Sequence, residues 1–241
     1  MYHKPIFALA LAATATSASA DVIRAGDTDI TLTLASVTPA RAVSAYFSDT
    51  ATGDTFDRTV SAGRLNWDNG SSSFCVQILE GINVGSSKTF DAVEVEEVPE
   101  APPGPGPMGS LRAELIRDLY ARHYFDMSDA TGSDARNQSA AFAMVIWEIT
   151  HQDSDAVTTT GLLADLDLST GNARFNSSGT VNTLAAGWLS GLGNGEGDFL
   201  GFGQLLGLTD PTTQDFLIVV PGPAGLMAFA GLAGIRSRRR G

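Results

Sequence analysis

Cys75 is the only cysteine in the 241 residues, and it lies in the apolar stretch Phe74-Cys75-Val76. A single cysteine cannot form a disulfide within its own chain. Its thiol can serve as a small buried apolar group, as an intermolecular crosslink, or as a nucleophile that attacks an acyl carbon. The residue types alone leave these three roles open.

The other residues that could carry chemistry do not cluster in the sequence. His123 and His151 have no cysteine or histidine at a metal-ligand spacing, so we expect them on the surface or at a helix end. Glu148 has no second acid at catalytic spacing and can join a hydrogen-bond network. Six aspartates could bind calcium weakly, but none lies in a spaced-ligand calcium loop: Asp126, Asp129, Asp153, Asp155, Asp165 and Asp167. The chain also lacks a nucleophile elbow, a phosphate loop and a zinc-protease motif, so we predict no metal, no cofactor and no catalytic site.

The elements that would carry these residues can be predicted from periodicity. Ile30, Leu32 and Leu34 alternate with polar residues and predict a half-buried strand. Pro/Gly-rich residues 99–109 predict an exposed loop or hinge. Further strands are expected at 42–47, 74–79, 89–98 and 215–220, and helices from near Ser110, at 134–149 (capped by Asp134) and at 181–192. This order predicts an α+β fold, an antiparallel β-sandwich or barrel with a helical insert subdomain.

Residues 1–20 have the pattern of a secretory signal peptide. His3 and Lys4 are followed by a short apolar run, and Ala18 and Ala20 offer the small residues that signal peptidase needs. Cleavage after Ala20 would leave a folded domain over residues 21–215.

Residues 216–241 form a second candidate targeting segment, at the C-terminal end of the sequence. An apolar run ends at a basic stop formed by Arg236, Arg238, Arg239 and Arg240. Together with Val220, Pro221, Pro223 and Ala224, this segment resembles the PEP-CTERM sorting signals of the VPLPA type, although Gly222 departs from their motif. The resemblance implies that an exosortase cuts near the prolines after transient insertion in the inner membrane. The alternative is a plain C-terminal membrane anchor.

The body of the chain resembles the Cys-Gln thioester domains of bacterial surface adhesins. The resemblance lies in Phe74-Cys75-Val76 and in residues 141–149, with further stretches at 166–172 and 187–189. Those domains join a strand cysteine to a glutamine four residues before a tryptophan. Here the tryptophan is Trp147, but Ala143 stands at the glutamine position and has no acyl carbon. The resemblance therefore implies a thioester-domain-like fold with a degenerate site at Cys75, Ala143 and Trp147.

Two other glutamines, Gln138 and Gln77, could in principle replace the missing one. Gln138 lies five residues before Ala143 and would face a different side of the helix. Gln77, on a strand extended from Cys75, would be held too far from the thiol. An intact thioester then requires an unidentified glutamine.

Charge narrows the possible partners. The formal net charge is −12, and without Lys4 and the four C-terminal arginines ten basic residues face 27 acidic ones, a net of −17. Such a body repels nucleic acid and anionic lipid. We expect an exported, non-catalytic protein on the outer surface or in the exopolysaccharide matrix of a Gram-negative bacterium, with signal peptidase and an exosortase as processing partners. The alternative is a covalent adhesin that uses Cys75.

Overall fold

The chain has an α+β fold in a computed structural model that describes residues 23–49, 52–100, 105–193 and 203–221. The strands are β1 (Ile30–Ser48), β2 (Thr55–Trp67), β3 (Ser72–Cys75), β4 (Ser87–Val93), β5 (Ala173–Asn176), β6 (Gly203–Thr209) and β7 (Phe216–Pro221). The helices are α1 (Gly109–Asp129), α2 (Gly132–His151), α3 (Thr159–Asp165) and α4 (Gly179–Ser190). None of the helices in these ranges combines the length and the apolar character needed to cross a bilayer.

Six of the strands pair in a closed antiparallel ring. The order is β1, β2, β3, β7, β6 and β4, and β4 pairs in turn with the first residues of β1. Because β1 is 19 residues long, its far end can also hold β5. The register of β1 on β2 shifts between Val37 and Ala40, where Pro39 has no N–H to donate. The predicted α+β, antiparallel fold class is confirmed.

Helix α2 is the centre of the core. Every residue from Ser139 to His151 is buried, and a helix that is apolar all round must be covered all round. It packs against β1, β2, α1 and α4. The ring of Phe142 lies 4.8 Å from Phe74 of β3, 4.8 Å from Tyr120 of α1 and 6.2 Å from Trp188 of α4. The strands and the helices thus share one core.

Polar side chains fix both ends of α2. Near its start, Arg41 Nε of β1 donates to Asn137 Oδ1 at 2.9 Å. At its end, the guanidinium of Arg112 donates to the carbonyl oxygens of Ile149 and, at 2.8 Å, of Gln152. The last carbonyls of a helix have no partners within the helix and carry the negative end of its dipole, so a cation there is favourable.

Three helices and the last strand follow the sequence predictions closely, whereas the two strands expected around 30–34 and 42–47 form the single strand β1. The helix expected over 134–149 lies within α2, the helix expected from Ser110 begins one residue earlier, and β7 is one residue displaced from the strand expected at 215–220. The helix expected at 181–192 is α4, which begins and ends two residues earlier. The expected cap of α2 was wrong. Thr131 takes the N-cap position, and Asp134 lies in the first turn, where the helix dipole favours a carboxylate.

Several short elements differ from the predictions. The strand expected at 74–79 ends at Cys75, and the one expected at 89–98 ends at Val93. A single turn of 3-10 helix, Val95–Glu97, follows, because the side chains of Glu94 and Glu97 each accept from the other's backbone N–H. The sequence predicted none of β2, α3, β5 and β6. In β6 the residues Leu205, Leu206 and Leu208 are all buried, so no alternation marks it.

The loop predicted to be exposed at 99–109 is partly buried. Among its described residues, Pro99, Gly106 and Met108 lie in the interior. The backbone N–H of Met108 donates to the carbonyl of Val98 at 2.9 Å and closes the base of the loop. This backbone hydrogen bond holds the two ends of the loop together in the interior, which the composition of the loop did not indicate.

The closest backbone approach in the ring yields a test of the fold. We expect Gly63→Ala to lower the free energy of unfolding by about 1–3 kcal/mol, because the added methyl group would meet the Pro39 carbonyl and lie 2.7 Å from Ala40 Cα. Gly81→Ala is the control, since a methyl group there meets nothing within 4 Å. Urea unfolding of both variants measures the difference. Equal stability of the two would contradict the register of β1 on β2.

Candidate functional site

The end of β3 is attached to α2 through Trp147. Its indole Nε1 donates to the carbonyl oxygen of Cys75 at 3.1 Å. One residue earlier on the strand, Phe74 contacts Phe142 of the helix. The two segments that the sequence singled out for chemistry therefore lie together.

The Cys75 thiol lines a cavity of about 250 Å³ that is also lined by Trp147, Glu80 and Gln214. The chain turns after Cys75, so the thiol donates to the backbone carbonyl of Gln77. Gln214 Nε2 donates to the same carbonyl at 2.7 Å. Burial raises the pKa of the Cys75 thiol well above its usual value. The thiol is protonated at neutral pH.

Gln214 is the residue of this site that sequence analysis missed. It directly precedes the predicted last strand, but nothing in the sequence pairs that strand with Cys75. The pairing of Cys75 with Phe216 in the β3–β7 ladder brings the glutamine to the thiol. The expectation that Gln77 lies on an extended strand was also wrong, since β3 ends before it.

His151 connects the segment after Cys75 to the end of α2. Its Nε2 accepts from the backbone N–H of Ile78 at 3.3 Å, and its Nδ1 lies 3.0 Å from the carbonyl of Trp147. These partners require the neutral tautomer with the proton on Nδ1. Burial lowers the pKa of His151 to about 4. The expected helix-end position is confirmed, but the side chain is buried rather than on the surface.

Two carboxyl groups are buried near this site. Glu148 Oε1 accepts from the backbone N–H of Asp167 at 2.7 Å, while Oε2 has no partner among the described residues. Burial raises the pKa of Glu148 to about 8. Asp215 accepts from the backbone N–H groups of Asp210 and Glu100, and burial raises its pKa to about 7. Glu148 therefore has the hydrogen-bond role that its sequence suggested.

Ala143 is buried one helical turn before Trp147, on the same face of α2. It is not among the described residues that line the Cys75 cavity. Gln138, half-buried near the start of α2, does not line it either. Trp147 reaches Cys75, and the carboxamide that lines the cavity with the thiol comes from Gln214, while the Gln77 side chain donates to Glu80.

Most residues of the predicted signal peptide and of the predicted C-terminal sorting signal lie outside the described ranges. Val220 and Pro221 end β7, where Val220 is buried and pairs with Gln204 of β6. Outside the described residues lie Ala18, Ala20, Pro223, Ala224, Arg236, Arg238, Arg239 and Arg240. In the described part of the chain, no group of three or more His, Cys, Asp or Glu side chains could hold a metal ion. His123 instead stacks on Trp188 at 4.7 Å.

Comparison with known proteins gives no relative for this arrangement. No family model, no curated protein and no solved structure matches the chain. The chemistry of the site therefore has to be judged from its own geometry.

The buried Glu148 gives a pH-dependent prediction. Its folded pKa of about 8 lies above the ordinary value, so its contribution to stability is fully present below about pH 4.5 and is lost as pH rises through 8. We expect Glu148→Gln to melt at an increasingly higher temperature than the parent as pH rises from about 5 to about 9. Glu114→Gln, on the exposed side of α1, is the matched control. A melting difference that does not change with pH would contradict the buried, neutral carboxyl.

Proposed function

We propose that this chain is an exported, non-catalytic protein of the cell surface or the exopolysaccharide matrix, sorted by an exosortase and serving in adhesion or matrix organisation. The observation that carries the proposal is the C-terminal arrangement of Val220–Ala224, an apolar segment and an arginine cluster. The leader-like residues 1–20 support the same route. Strand β7 covers Phe216–Pro221 and pairs with β3 and β6, so the folded body includes the first six residues of the segment predicted at 216–241. The boundary expected at residue 215 therefore moves to Pro221, and the apolar run and arginine cluster of the proposed sorting signal follow it in the sequence.

The state of the reactive side chains supports a binding rather than a catalytic role. The Cys75 thiol is protonated and bonded to a carbonyl. Both ring nitrogens of His151 have backbone partners, and Glu148 is fully buried. A nucleophilic thiol needs a lowered pKa and a general base needs access to its substrate, whereas the Cys75 thiol stays protonated and both His151 and Glu148 are buried.

Processing of the full chain tests the proposal. In a Gram-negative host that carries an exosortase, we expect the secreted form to begin at Asp21 and to end after Pro221, because Val220 is buried and paired within β7. Mass spectrometry of the terminal peptides measures both ends. Replacing Arg236, Arg238, Arg239 and Arg240 with Gln, or deleting the exosortase, should leave the tail uncut. Recovery of the full-length chain from the cytosol with its leader attached would overturn the proposal.

A second candidate function is supported by the position of Gln214. Its carboxamide and the Cys75 thiol share the Gln77 carbonyl as hydrogen-bond acceptor and line the same cavity. A thioester would form if Cys75 Sγ bonded to the Gln214 side-chain carbonyl carbon, with loss of one ammonia that takes up the thiol proton. An external amine or hydroxyl could later attack that acyl group, as a covalent adhesin requires.

The intact mass of the mature domain separates the two candidates. We expect an unchanged mass and one thiol that reacts with iodoacetamide only after unfolding, because burial keeps the thiol protonated in the folded state. The covalent candidate instead requires a mass lower by one ammonia, reversed by methylamine. That loss should disappear in Cys75→Ala and Gln214→Ala but persist in Gln138→Ala, whose side chain does not line the cavity.

A further inference from the structure

A groove of about 960 Å³ lies beside the edge strand β5, away from Cys75. Its walls come from β1, β5, α3, α4 and the segment 166–169 that follows α3. The Phe175 backbone N–H donates to the carbonyl of Leu168 at 2.8 Å, so this segment lies along β5 and forms one wall. The volume falls within the range of small-molecule sites, roughly 300–1,000 Å³.

One part of the groove lining is apolar, and the rest carries polar side chains. Leu163 and Leu166 line it from α3 and its C-terminal end, Leu189 from α4, Met144 from α2 and Phe175 from β5. Leu166, Leu189 and Phe175 are otherwise buried in the core, so the groove opens directly onto the hydrophobic interior. Against these apolar residues an aliphatic chain is favoured over a sugar or a peptide backbone, whose polar groups would have to pair with other lining residues such as Ser44, Asn176 and Asn182.

The mouth of the groove carries an oriented cation. Tyr46 of β1 points to the sheet face opposite to its neighbours Ala45 and Phe47. It pairs with Asp57 of β2 on one side and with Arg174 of β5 on the other. The guanidinium of Arg174 lies 3.9 Å from the centre of the Tyr46 ring. Such a contact fixes the position of an arginine without using its N–H donors.

Arg174 has no carboxylate partner in the described part of the chain. Neither of the two ion pairs found there includes it. Asp167, the other acid at the groove, accepts from the backbone N–H and the hydroxyl of Ser169. Asp57 lies on the far side of Tyr46, with its backbone two strand spacings or about 10 Å from that of Arg174, and the two side chains form no ion pair. The donors of Arg174 are therefore available to an anion at the mouth of the groove.

We propose that this groove binds a fatty acid or a similarly acylated carboxylate. The aliphatic chain lies against Leu163, Leu166 and Leu189, and the carboxylate accepts hydrogen bonds from Arg174. The acids outside the groove do not prevent this binding, since at physiological ionic strength charges more than about 8 Å away are largely screened. Of the two acids that line the groove, Asp167 accepts hydrogen bonds from Ser169 and Asp57 lies on the far side of Tyr46. The inference does not depend on the proposed export or sorting of the chain.

Dodecanoate is the probe, and calorimetry at physiological salt is the measurement. We expect Arg174→Gln to weaken dodecanoate binding at least tenfold, because it removes the charged, two-donor contact. Arg58→Gln is the matched control, since Arg58 stacks on Phe56 of β2 and does not line the groove. Dodecanol should bind the parent protein as weakly as dodecanoate binds Arg174→Gln. Equal binding of the acid and the alcohol would overturn the proposal.

A second pair of variants tests the chain-binding part of the groove. Ala186 is an exposed residue of α4 that lines the groove, so Ala186→Trp should fill it and abolish dodecanoate binding without a loss of melting temperature. Thr183→Trp, on an exposed position of α4 outside the groove, should bind as the parent does. Undiminished binding by Ala186→Trp, or no dodecanoate binding by the parent, would exclude this site.

Discussion

The enclosure of helix α2 is the constraint on which the rest of the structure depends. Residues 139–151 present no polar face to solvent, so the helix must be covered on every side. The strand ring covers part of it, and α1 and α4 cover the remainder. Arg41 and Arg112 fix its two ends, and Trp147 and His151 attach its last turn to the segment around Cys75. A displacement of α2 would disturb the core and the candidate site together.

The sequence predicted the parts of the fold whose signal is local. The periodicity marked both ends of α2 and α4 to within two residues and the start of α1 to within one, and the alternation marked the first residues of β1. Pairing is not local, and the closure of the ring depends on which strands meet. β6 shows why it was missed, because Leu205, Leu206 and Leu208 are buried on both faces and carry no period of two. β5 has only four residues and is ordered by its contact with β1.

In the candidate site, too, the sequence predicted the residues with a local signal and missed those that only strand pairing brings together. The sequence indicated Cys75 and Trp147 as parts of one site, and the two do meet. It did not indicate Gln214, because only the β3–β7 ladder brings residues 139 positions apart in the chain to one cavity. The side chains that the sequence indicated as candidates for chemistry act in the structure as hydrogen-bond partners with fixed positions. His151 is an example, since its two nitrogens join a helix end to a loop and leave none for a substrate.

Strand β7 has a mechanical consequence. It lies between β3 and β6, is hydrogen bonded on both sides, and ends at Pro221, the last described residue. A pull transmitted through the following residues acts along the strand axis. It therefore strains both ladders in shear, so that their hydrogen bonds resist together instead of opening one by one. In the uncut chain, tension applied from the C-terminal side is therefore resisted by both ladders at once.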